Sequence, residues 1–184
     1  MEVETRDYTV FCWRRLEEIF GKCAKPRPPL YLFLSKASSG TLFRRRTEEI
    51  NFVHAIQAAG GGVTLADPPL AYVSAWYQVP EETAHLYAVC RKKMGSQPSR
   101  EYFVIQEAFA KFFELLVQRE RQKDPVIKLE REWDRIHREG YALGRAWAKA
   151  HYLGKLKSQD YRLWMNLSWH AASSLKKLAK RIRK

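Results

Sequence analysis

"REYFVIQEAFAKFFELLVQRE", residues 100–120, is the stretch whose periodicity sets the fold class. Tyr102, Ile105, Phe109, Phe112, Phe113 and Leu116 recur at three- and four-residue steps, which gathers them on one face of a helix. The predicted helix runs over 100–122, with Ser99 as its N-cap. Asp124-Pro125 then reads as a cap followed by an N1 proline, opening a second helix that reaches about residue 152. Its inward positions are Leu129, Trp133, Ile136, Leu143 and Trp147, and Gly154 ends it. A third helix is predicted from about residue 157 into the tail, with a seam of Tyr161, Trp164, Leu167, Ala171, Leu175, Leu178 and Ile182. Three consecutive amphipathic helices with short connections predict an antiparallel bundle over 96–184.

Working back toward the N-terminus, the pattern is more mixed. A helix is expected over 7–21, capped by Asp7 and burying Trp13, Leu16, Ile19 and Phe20. "KPRPP" (25–29) enforces an extended linker. The run "LYLFL" (30–34) reads equally as a buried strand or a helix opening. Residues 41–58 read as a helix with Leu42, Ile50, Val53 and Ile56 inward. Residues 59–79 are the least helical, and "VTLA" (63–66) suits a short strand. A small β element from 30–34, 63–66 and 71–76 fits this stretch. Pro80, Glu81 and Glu82 then open a helix, because proline fits a first turn and acids suit its positive end. Its expected buried stripe is Tyr87, Cys90 and Met94. The expected fold class is mainly α: a C-terminal antiparallel helix bundle (96–184) with an N-terminal, mostly helical lobe (1–95) carrying at most a small β element.

The 184 residues suit one domain, and 46% apolar with 13% aromatic residues is enough to build a core. The formal net charge is +13. Its distribution is more informative: residues 140–184 hold eleven Lys and Arg against a single acid, Asp160. Residues 96–139 hold nine of each sign. Clustering of this kind points to a binding surface for a polyanion, most often nucleic acid. The cysteines, Cys12, Cys23 and Cys90, are too few and too irregularly spaced for a disulfide scaffold. No apolar run has the length of a membrane span, and the first residues lack the pattern of a signal peptide. A cytoplasmic protein with no membrane partner is expected.

No catalytic constellation stands out. The histidines (His54, His85, His137, His151, His170) form neither HxxxH nor HExxH, so each reads as a part-exposed or hydrogen-bonded helix residue. Cys12 and Cys23 have no second pair to complete a zinc site. Gly60, Gly61 and Gly62 lack the Lys-Ser/Thr of a phosphate loop. A metal-dependent nuclease needs clustered carboxylates, and nothing in the sequence selects among Glu48, Asp67 and Glu107. The expectation is therefore a non-enzyme with no cofactor and no metal site.

The candidate site is a basic track. In the tail, Lys176, Lys180 and Arg183 stack at three- and four-residue spacing, and Lys177, Arg181 and Lys184 form the adjoining face. Arg145 and Lys149 lie one turn apart on the preceding helix, and Lys155, Lys157 and Arg162 occupy the corner between the two. Arg44, Arg45 and Arg46 add a further basic cluster. This Lys-rich set suits phosphate contact more than base reading. Ser158, Gln159 and Arg162 keep a helix-turn-helix regulator as the alternative, with a small nuclease behind it. Tyr152, Tyr161, Trp164 and Trp169 are candidate stacking surfaces for single strands, although Tyr161 and Trp164 read more naturally as core.

The pattern Tyr141-x-Leu143-Gly144-Arg145, then Lys155-Leu156-Lys157-Ser158, then Tyr161-Arg162-Leu163 resembles the helical C-terminal domain of CRISPR Cascade large subunits. The separate small subunits of those complexes are similar to the same domain. The run "RRRTEEINFVHAIQAAGGGVTLADPPLAYV" (44–73) is loosely similar to the segment preceding that domain in type I-D large subunits. The resemblance implies a non-catalytic subunit of a ribonucleoprotein that contacts large and backbone subunits and copies of itself. It also implies a role in holding target DNA, especially the displaced non-target strand, alongside guide RNA. A chain produced from an internal start within the large-subunit gene is compatible with it.

Overall fold

The computed structural model describes residues 2–24, 26–32, 62–66, 69–73, 75–91, 100–121, 135–161 and 180–181. The first element, α1 (Glu2–Phe20), begins earlier than the sequence predicts. Nothing before Asp7 is a helix breaker, so Asp7 lies inside the helix and is not its cap. The far end behaves as expected: Gly21 turns the chain with φ 97°, and its N–H donates to the Glu17 carbonyl at 2.9 Å.

Three short strands follow: β1 (Leu30–Leu32), β2 (Val63–Ala66) and β3 (Pro69–Val73). The central strand is β3, which pairs parallel with β1 and antiparallel with β2. The open reading of 30–34 resolves as strand over its described residues, 30–32, and the small β element is present, its third strand at 69–73 and not 71–76. Pro69 is tolerated because it occupies the first position of its strand. A 3-10 turn (Trp76–Gln78) leads into α2 (Val79–Arg91). Helices α3 (Arg100–Glu120) and α4 (Arg135–Tyr152) complete the described architecture, which is mainly α. The predicted helix over 41–58, the predicted Asp124-Pro125 helix start with Leu129 and Trp133, and the predicted tail helix over 162–179 and 182–184 lie outside the described residues, as do Met94 and Ser99.

One hydrophobic core joins all four helices and β3. It contains Trp13, Leu16 and Phe20 from α1, Ala71 and Val73 from β3, Leu86 and Tyr87 from α2, the aromatic face of α3, and Trp147 from α4. The division at residue 95 therefore falls between two helices that share this core. Phe109, Phe112, Phe113 and Leu116 are buried as their spacing requires, and Ile105 packs against them. Edge-on ring contacts of Phe20 with Phe109 and Phe112, and of Phe112 with Trp147, link α1, α3 and α4. At the periphery, Arg15 of α1 grips the Glu120 carboxylate of α3 with Nε and Nη2.

Two glycines set how closely α3 and α4 approach. A Cβ on Gly144 would lie 2.6 Å from the Ala108 carbonyl oxygen and 2.9 Å from Lys111 Cβ. One on Gly140 would lie 2.4 Å from Glu107 Cβ and 3.0 Å from the Val104 carbonyl oxygen. Replacing a helical glycine with alanine normally stabilises by about 0.5–1 kcal/mol. Here overpacking, which costs about 1–3 kcal/mol, should win. Gly144→Ala is expected to lower the melting temperature by roughly 3–6 °C, read by circular dichroism; a rise would mean that the helices stand further apart than described.

Candidate nucleic-acid interface and a buried carboxylate–imidazole cluster

The end of α4 is built as a Schellman motif. Gly154 adopts φ 66°, its N–H donates to the His151 carbonyl at 3.0 Å, and the Lys155 N–H donates to the Ala150 carbonyl at 3.0 Å. The chain turns and resumes helix at Ser158. Asp160 closes this second start, its Oδ2 accepting the Lys157 N–H at 2.9 Å, as an acid three residues past an N-cap does. Its other oxygen accepts from Arg181 Nη1, which holds the end of the tail against the corner.

The charges of this corner are segregated. Arg145, Lys149, Lys155 and Lys157 are exposed, whereas Asp160 is 8% exposed. Every exposed Lys, Arg, Asp or Glu in 140–161 is thus a cation. Arg145 and Lys149 share a face of α4, and Lys155 and Lys157 flank the turn. Lys180 and Arg181 are exposed too, and the Asp160 pair brings them to the same corner while engaging Arg181. Arg44, Arg45, Arg46, Arg162, Lys176, Lys177, Arg183 and Lys184 lie outside the described residues, as do Trp164 and Trp169.

The two described aromatic candidates are committed elsewhere. Tyr161 is half-buried and edge-on to Phe20, with its hydroxyl hydrogen-bonded to His151 Nδ1. Burial lowers the His151 pKa, which keeps that ring neutral. Tyr152 donates to the Leu115 carbonyl at 3.2 Å, and the Arg119 guanidinium lies 4.0 Å from its ring centroid. A cation already occupies that ring's face, so Tyr152 is not an open stacking platform.

A second polar constellation, which the sequence reading did not assemble, lies between α2, α3 and α4. Glu81 and Glu82 open α2 as predicted, but both are buried, each 6% exposed, and do not face solvent at the helix end. Tyr141 of α4 donates its hydroxyl to Glu81 Oε1 at 2.5 Å. Thr64 of β2 donates to Glu82 Oε2 at 2.6 Å. His85, one turn along α2, has Nε2 3.8 Å from Glu107 Oε1, and His137 Nε2 lies 3.7 Å from Glu107 Oε2. Below them, Lys111 and Glu114 form a buried pair at 2.9 Å.

The electrostatics follow from burial and crowding. Burial pushes the Glu82 carboxyl up to about 7; Glu81 and Glu107 add to this, while His85 and the Thr64 bond oppose it. For His85, burial disfavours the charged ring, but Glu107, Glu82 and Glu81 outweigh it and raise the pKa. Burial and then Glu81 raise the Tyr141 hydroxyl. The one readable trace of this cluster was the four-residue spacing of Glu81 with His85 and of His137 with Tyr141, which put each pair on one helix face. No family model, curated protein or solved structure matches the chain.

A carboxyl with a raised folded pKa contributes stability that is fully present below its unfolded value and is lost as pH rises through the folded one. For Glu82 that window runs from 4.5 to about 7. Between pH 5 and 8 the native chain should therefore lose up to about 3 kcal/mol relative to Glu82→Gln. Urea denaturation of both proteins at the two pH values measures this; parallel pH dependences would mean that Glu82 is solvated.

Proposed function

We propose that this chain is a non-catalytic, nucleic-acid-binding structural subunit of a CRISPR Cascade-type ribonucleoprotein. It holds target DNA, the displaced strand in particular, through backbone contacts. The observation that carries the reading is the corner at 145–160, where every exposed charged side chain is a cation and the only acid of 140–184, Asp160, is buried. A phosphate backbone offsets repulsion among such cations and releases counterions as it does so. The sequence resemblance across Tyr141–Leu163 supplies the assembly: large and backbone subunits, guide RNA and further copies of this chain, in the cytoplasm. No helix among the described residues is long and apolar enough to cross a membrane.

A helix-turn-helix regulator is favoured by one feature, the exposure of Ser158 and Gln159 on the first turn after the corner. Salt titration separates the two readings. A backbone binder shows little sequence preference, and each lost phosphate contact reduces the slope of log K on log salt by about 0.9 on duplex or 0.7 on single strands. Replacing Arg145, Lys149, Lys155 and Lys157 together with Ala should weaken binding of a labelled oligonucleotide and flatten that slope by roughly 3–4, as read by fluorescence anisotropy. Unchanged affinity in the folded variant would remove the corner from the interface, and a preferred site that survives high salt would favour the regulator.

A further inference from the structure

We propose that Glu81, His85 and Glu107, with His137 at the rim, form a binding site for one divalent transition-metal ion. The site is independent of the basic corner and of the nucleic-acid reading. One donor atom from each of Glu81, His85 and Glu107 lies within 4.8 Å of the others. These donors come from two helices, α2 and α3, and His137 of α4 closes the third side.

Three features favour a metal over a simple polar cluster. The first is distance. Separations of 3.8 and 3.7 Å between the imidazoles and Glu107 are too long for hydrogen bonds. Two ligands each about 2.0–2.2 Å from a shared ion stand roughly 3–3.5 Å apart, so small side-chain movements would complete the shell.

The second is charge. Two carboxylates, Glu81 and Glu107, converge with one imidazole within 4.8 Å, a donor set whose negative charge a divalent cation offsets.

The third is outer support. Gln106 hydrogen-bonds the His85 side chain, and Tyr141 holds one oxygen of Glu81. Hydrogen bonds of this kind orient metal ligands in known sites. Imidazole mixed with carboxylate selects zinc, cobalt, nickel, manganese or iron over calcium or magnesium.

The test uses the untagged full-length chain, stripped with chelator and dialysed. Zn²⁺ is titrated calorimetrically, and Co²⁺ serves as the spectroscopic probe. The expected result is one equivalent of Zn²⁺ that raises the melting temperature, and a Co²⁺ visible absorption band that Zn²⁺ displaces. Glu107→Gln and His85→Gln, which keep approximate side-chain volume, should each weaken Zn²⁺ binding at least tenfold. Tyr141→Phe should weaken it about 10–100-fold. Absence of a stoichiometric Co²⁺ band in the native chain overturns the proposal whatever the variants do. Undiminished Zn²⁺ affinity in both folded Gln variants also overturns it, since the ion would then sit elsewhere.

Discussion

The backbone of α4 rests directly on that of α3 at Gly140 and Gly144, and the placement of His137 and Tyr141 on α4 follows from that contact. Glycines one turn apart form a flat strip, and each closes a gap that a methyl group would fill. With that strip against Glu107, Ala108 and Lys111, the ring of His137 reaches Glu107, and the Tyr141 ring lies 5.0 Å from Lys111 Nζ with its hydroxyl on Glu81. The same orientation sends Arg145 and Lys149 to solvent. A single steric constraint thus sorts the helix into an inward acidic environment and an outward basic one.

Burial of Glu81, Glu82, Lys111 and Glu114 beside the partly buried Glu107 is costly unless each charge is paired, hydrogen-bonded or neutralised. Several devices are visible. Lys111 and Glu114 neutralise one another, and Gln118 donates to the second Glu114 oxygen at 2.9 Å. The start of α2 supplies partial positive charge near Glu81 and Glu82. Thr64 and Tyr141 add donors from the sheet and from α4. Glu82 retains its proton close to neutral pH. The result couples β2, α2, α3 and α4 through one polar centre, beside a hydrophobic core that joins the same helices.

Much of the fold was legible because apolar periodicity is a local signal. The 100–120 helix, the Gly154 stop and the β element around 63–66 all depend on residues near in sequence. The start of α1 was misread for the same reason: Asp7 is a good cap by type, but nothing obliges a helix to begin at the first good cap. The corner cations were legible as charge, whereas the inward turn of Asp160 was not, because it depends on Arg181, twenty-one residues on. The carboxylate–imidazole cluster was legible only as two four-residue spacings, Glu81 with His85 and His137 with Tyr141, and not as one site. Glu81, Glu107 and His137 are far apart along the chain, and only the packing of three helices brings them together. The reading of Glu81 and Glu82 as first-turn acids of a helix was sound, and their burial adds what only tertiary packing shows.

The two polar centres share α4: Tyr141 of the cluster is one turn, about 6 Å along the axis, from Arg145 of the corner, and eight residues, about 12 Å, from Lys149. Salt screens buried charges much less than exposed ones, so the charge of the cluster bears on the corner. The formal charge of +13 also counts Glu82 as ionised and His85 as neutral. Both pKa values are raised, which favours the protonated form of each of these two groups. Any proton or metal ion taken up by the cluster moves the balance further in the same direction.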